Sequence, residues 1–182
     1  MACIHYIFYE EWITSSDLLH VAEELPTDEY QVAGQFLSPH SRIHVGKDGG
    51  YIRVYDKFIF RSSEATCLPE RQEVKKQYYI DAKDVIVITL GKELVSSAIL
   101  LEYVKKFLEK YPTAIFFNGD WWLAHKMRKD DTCNATEDMV DKFPDQISNT
   151  TRNLPLKYYT YAQLSTVEAD PVTGAWITKR ED

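Results

Sequence analysis

Hydrophobic and polar positions follow several rhythms along this chain, and the longest apolar stretch is the most informative. "DVIVITL" (Asp84 to Leu90) is almost continuously apolar, the pattern of a strand covered on both faces. "SSAILLEYVKKFLEKYP" follows, with Ile99, Leu100, Tyr103, Val104, Phe107 and Leu108 at helical spacing and lysines near the end, where the helix dipole favours them. Ser96 or Ser97 is the expected cap, and Pro112 the stop. "TAIFF" then returns to a strand pattern. Together they predict a strand-helix-strand unit over residues 84–117, with a right-handed crossover and strands that are parallel neighbours or nearly so.

Shorter patterns flank this unit. "CIHYIFY" (Cys3 to Tyr9), rich in β-branched and aromatic residues, predicts a strand. "SSDLLHVAEELP" predicts a helix capped by Ser15 or Ser16 and ended by Pro26, and "EYQVAGQFL" a further strand. In "SRIHVGKDGGYIRVYDKFIFRS" two alternating runs flank "GKDGG", which predicts a hairpin. Arg53, Asp56 and Lys57 oppose Ile52, Val54 and Phe58 there, so at least one of these strands has a wet face. "PERQEVKKQ" (Pro69 to Gln77) reads as a solvated loop or short helix. The final third is less regular: a polar region with a short helix from Thr136 to Lys142, a strand from Leu156 to Leu164, and a last strand in "AWITK". The expected fold is one α+β domain over residues 1–182. Its sheet is mixed and mostly antiparallel, with the single crossover at 84–117 and helices packed on the sheet.

Composition narrows the partners. The 182 residues are 45% hydrophobic, enough to bury a core without help. Asp and Glu number 28 against 21 Lys and Arg, and a net charge of -7 with no basic run in the sequence disfavours nucleic acid. The start "MACIHYIFYEEW" lacks the pattern of a secretion leader, and no apolar run is long enough for a bilayer, so a cytoplasmic protein without a membrane partner is expected. Cys3, Cys67 and Cys133, dispersed and odd in number, suit a reducing compartment.

Candidate chemistry is sparse. In "FFNGDWW" the pair Asn118 and Gly119 marks a turn after a buried strand, and Asp120 caps a short helix carrying Trp121, Trp122 and His125. His40 and His44 are four apart, but on a strand that spacing leaves them about 13 Å apart, so no metal is expected. His5 and His20 have apolar neighbours and read as satisfied structural histidines. No cysteine has a CxxC partner, no GxSxG elbow occurs, and both phosphate-loop patterns are absent. No cofactor is therefore expected. An enzyme reading places a hydrolase or transferase pocket near Asp120, His125 and His44. A third reading is a module that assembles through an edge strand.

Acidic residues cluster. Glu10, Glu11, Asp17, Glu23, Glu24, Asp28 and Glu29 run without an intervening Lys or Arg, and Asp130, Asp131, Glu137, Asp138, Asp141 and Asp145 are opposed only by Lys142. A basic partner steered by this charge is the sharper reading beside a merely solubilising surface. With its "NGDWW" turn, its acidic stretches and its lack of catalytic motifs, the chain resembles in general character the small acidic immunity proteins that bacteria make against their own toxins. The resemblance implies a cytoplasmic inhibitor that occludes a cognate toxin by direct binding and needs no cofactor. The interface would then draw on Glu10, Glu11, Glu23, Glu24, Asp28, Glu29, Asp120, Trp121, Trp122, Asp130 and Asp131. Oligomeric state is left open.

Overall fold

The computed structural model describes residues 4–37, 40–56, 68–82, 85–91, 94–118, 158–172, 174 and 176–179. One sheet contains β1 (Ile4–Phe8), β2 (Gln31–Leu37), β3 (His40–Lys47), β4 (Gly50–Tyr55), β5 (Val85–Leu90), β6 (Ile115–Phe117) and β7 (Tyr158–Tyr159). Its order is β2-β3-β4-β5-β1-β6-β7, and every pairing among the described residues is antiparallel. A second hairpin joins β8 (Val167–Ala169) to β9 (Trp176–Thr178). Among the described residues the helices are α1 (Ser15–Glu23), α2 (Leu68–Tyr78), α3 (Leu94–Lys110) and a single turn, α4 (Tyr161–Leu164). The chain has the α+β fold expected of it. No helix among the described residues is long and apolar enough to cross a membrane.

The strand-helix-strand unit forms as β5, α3 and β6, its two strands parallel and separated by one strand. β1 lies between them, antiparallel to both, with Tyr6 opposite Val87 on one side and Phe117 on the other. Central placement explains the unbroken apolar run. Ile86 and Ile88 join Ile7, Ile43, Val45, Ile52, Val54 and Phe116 in the core beneath α1 and α3, whereas Val85 and Val87 join Tyr6, Phe8, Ile115 and Phe117 in a second core with Val74 of α2. Phe107 and Leu108 of the α3 stripe are fully buried.

Several local expectations change. Thr14, not Ser15 or Ser16, caps α1: its hydroxyl accepts from the Asp17 amide at 3.3 Å while the Asp17 carboxylate accepts from the Thr14 amide at 2.8 Å. These bonds with Thr14 hold Asp17 below its ordinary pKa. Helix α3 begins at Leu94, so Ser96 and Ser97 fall inside its first turn, where both are buried. They dock other elements instead. Ser96 Oγ accepts from the Tyr51 amide at 3.0 Å, and the Ser97 carbonyl accepts from Trp176 Nε1 at 3.1 Å. Close docking requires Gly50, where a Cβ would lie 2.2 Å from Val95 Cγ1. The β3–β4 turn itself takes positive φ at Asp48 and Gly49, as a two-residue hairpin loop demands.

Of the strand expected over Leu156 to Leu164, the described residues keep Tyr158 and Tyr159 and then leave it, because Thr160 caps the α4 turn with Gln163. The segment 69–77 is helical, with Val74 buried. In β3 and β4 the alternation holds: Ile43, Val45, Ile52 and Val54 are buried, while Arg42, His44, Tyr51 and Arg53 are partly exposed. Lys57, Phe58 and the expected helix from Thr136 to Lys142 lie outside the described residues. His5 is buried but not satisfied. Neither of its ring nitrogens has a hydrogen-bond partner among the described residues, its ring stacks on Phe116 at 5.7 Å, and burial pushes its pKa down to about 3. The β1–β6 register, carried one residue on, sets buried Asn118 across from it.

Candidate functional site: an aromatic and acidic end of the sheet

Antiparallel pairing delivers three loops to one end of the sheet. β1 finishes at Phe8, opposite Val85 at the start of β5 and Ile115 at the start of β6. The segments 9–14, 79–82 and 111–114 therefore meet there. Glu10 ties the first to the second by accepting from the Asp81 amide, and Glu11 ties the first to the third by accepting from the Thr113 hydroxyl. Two large aromatic residues at this end face solvent, Trp12 at 85% exposure and Tyr79 at 87%.

Tyr79 carries a conformational cost. It follows the last residue of α2, and its amide donates to the Lys75 carbonyl at 3.1 Å, yet its φ is 59°. Helices most often place glycine at such a left-handed terminal position, since a side chain there costs roughly 1 kcal/mol. A ring so exposed returns almost no burial energy. Residues held in sparsely populated backbone conformations concentrate at functional sites.

Acidic side chains gather at the same end. Tyr111, two residues before Thr113, has its hydroxyl pushed above the ordinary range by burial and then by the charges of Asp17, Glu11 and Glu24. Lys110 answers Glu24 at 3.7 Å, and Lys75 answers Asp81 at 3.3 Å. With Glu10 and Glu11 added, the end is net acidic among the described residues.

The expected acidic interface is thus partly assembled and partly divided. Glu10, Glu11 and Glu24 gather here, and Glu23 is exposed at the last position of α1. Asp28 is exposed and accepts from the Thr27 hydroxyl at 3.4 Å. Glu29 sits at the other end of the sheet, 2.7 Å from Lys47 near the β3–β4 turn. Asp120, Trp121, Trp122, His125, Asp130 and Asp131 lie outside the described residues. Trp12 and Tyr79 were missed by sequence reasoning. Trp12 offered one signal, a tryptophan between two glutamates and a helix cap; the backbone of Tyr79 offered none.

The described residues contribute little to an enzyme site. His44 is held below its ordinary pKa by burial, then by Arg53 and Arg42, and among the described residues no carboxylate hydrogen-bonds it. No group of three His, Cys, Asp or Glu side chains placed to hold a metal occurs among the described residues. No family model, curated protein or solved structure matches the chain.

Proposed function

We propose that this protein is a binding protein without catalytic activity, and that it docks a basic protein through the Trp12–Tyr79 end of its sheet. The carrying observation is Tyr79: an exposed ring kept in a left-handed conformation that glycine would occupy more cheaply, at the same end of the sheet as exposed Trp12 and the carboxylates of Glu10, Glu11 and Asp81. Rigid aromatic rings dominate the energetics of protein interfaces, whereas rim charges set the encounter rate and exclude partners of the same sign. The resemblance to immunity proteins adds the partner class, a toxin neutralised in the bacterial cytoplasm with no cofactor.

The test is affinity capture from the native cytoplasm with wild-type protein and a Trp12→Ala/Tyr79→Gly variant as parallel baits, followed by kinetics with whatever only the wild type retains. Single Trp12→Ala should speed dissociation by about tenfold or more. Rising salt should slow association more than it changes dissociation, because screening acts over a Debye length of about 8 Å at physiological ionic strength. A captured partner that is acidic, or one held equally by the double variant, would overturn the reading.

A further inference from the structure

The second core, under α2, takes Tyr55 from the β3–β4 half of that face, where Arg42, His44, Tyr51 and Arg53 stay partly exposed. Two arginines and a histidine stand there together. His44 is directly opposite Arg53, and Arg42 lies two residues along β3 on the same face. Tyr51 organises them: its ring stacks on His44 at 5.3 Å and carries the Arg53 guanidinium 4.8 Å from its centroid. Arg42 donates across to the Gln35 side-chain oxygen. The register places Gln35 and Thr89 on this face beside them, and no acidic residue of β2 to β5. On a chain with 28 carboxylates against 21 bases, neither guanidinium has a carboxylate partner among the described residues. The local field is positive enough to act with burial in disfavouring the His44 proton.

A cleft of about 300 Å³ adjoins the cluster, lined by His44, Tyr51, Gln31, Gly46, the Lys47–Glu29 pair and, at its far side on the β3–β4 turn, Asp48. That volume is at the small end of ordinary ligand sites. We propose that this face binds a small phosphate-bearing molecule, with the phosphate between Arg42 and Arg53 and the organic part laid past His44 and Tyr51 into the cleft. Phosphate fits better than carboxylate because two guanidinium forks offer more N–H donors than one carboxylate can accept in plane, whereas a phosphate monoester presents three oxygens. A polyanion fits poorly, since the positive patch is local and the net charge of -7 repels an extended phosphate backbone.

Titration of the full chain at constant ionic strength, following the arginine side-chain N–H signals by NMR, tests this with inorganic phosphate, phenyl phosphate and succinate. Inorganic phosphate should shift the Arg42 and Arg53 signals saturably, phenyl phosphate should bind more tightly, and succinate should bind at least about tenfold more weakly than phosphate. An Arg42→Gln/Arg53→Gln variant should lose at least about tenfold in phosphate affinity, whereas Trp12→Ala should bind phosphate as the wild type does. If the glutamine variant fails to fold, Arg42→Lys/Arg53→Lys keeps the charge, removes the forked donors, and should show the same loss. Absence of saturation below about 10 mM phosphate, succinate binding as tightly as phosphate, or unchanged affinity in the folded arginine variant would overturn the proposal. Equal affinity for phenyl phosphate and inorganic phosphate would remove the cleft from it.

Discussion

On one face of the sheet, residues from β1 and from β3 to β6 lie beneath α1 and α3, and Ile7, Ile43, Ile52, Ile86 and Phe116 are fully buried there. On the other, α2 covers Tyr6, Phe8, Val87 and Phe117 near the centre, while Arg42, His44 and Arg53 stay partly exposed toward the β2 edge. Among the described residues the first face is packed by two helices, the 17-residue α3 with α1 beside it, and the second by α2 alone, which buries Val74. The strands toward the β2 edge keep the polar side that their alternating sequence specifies.

The comparison breaks most readily at Phe107, whose side chain fills the covered face from α3 and is fully buried. Phe107→Ala should cost about 3 to 5 kcal/mol in denaturant unfolding. A loss under about 1 kcal/mol would place the residue at the surface. His5 sharpens the contrast through pH. Burial holds its folded pKa at about 3 against an ordinary 6.5, so the unfolded chain takes up the proton first as the solution is acidified. The stability that neutral His5 contributes is complete above pH 6.5 and is lost as pH falls toward 3, at up to about 1.4 kcal/mol per unit. Between pH 6.5 and 5 the loss should approach about 2 kcal/mol, and His5→Phe should flatten that part of the stability profile.

At the terminus of α2, Tyr79→Gly should raise stability by about 1 kcal/mol, read as a higher denaturant midpoint with an unchanged slope. A decrease would show that the ring packs on something in solution. The smallest effect belongs to the open face. Arg42→Gln or Arg53→Gln should change unfolding free energy by no more than about 0.5 kcal/mol, and a loss above about 1.5 kcal/mol would mean that this half of the sheet is covered after all.

Periodicity made the covered face legible. "DVIVITL" announced a strand buried on both sides, and the α3 stripe from Ile99 to Leu108 named its own buried face. Alternation in "YIRVY" announced the wet side of β4. Two kinds of information were not local enough to read. The position of β1 between β5 and β6 depends on pairings between distant segments, which no short window contains. Capping was misassigned by one residue at α1 and more at α3, because serines near a helix start look alike whether they cap it or anchor a neighbouring hairpin, as Ser96 and Ser97 do. Of the candidate site, Glu10, Glu11 and Glu24 were readable as acid. Their gathering with Trp12 and Tyr79 comes from the sheet order, and the Arg42–Arg53 cluster escaped notice because its members lie on different strands.

The place of β1 also sets the order in which the chain can be made. During synthesis "IHYIF" emerges before either of its neighbours, and it has no sheet partner until Val85–Leu90 has left the ribosome, nor a second until Ile115–Phe117 follows. The β3–β4 hairpin, closed by two residues, can form within that interval, whereas the centre of the sheet must wait for contacts of long sequence separation. An apolar strand held open for so long is a template for pairing with other nascent chains. Expression yield should therefore respond to chaperone supply and growth temperature more than the finished protein's stability would suggest.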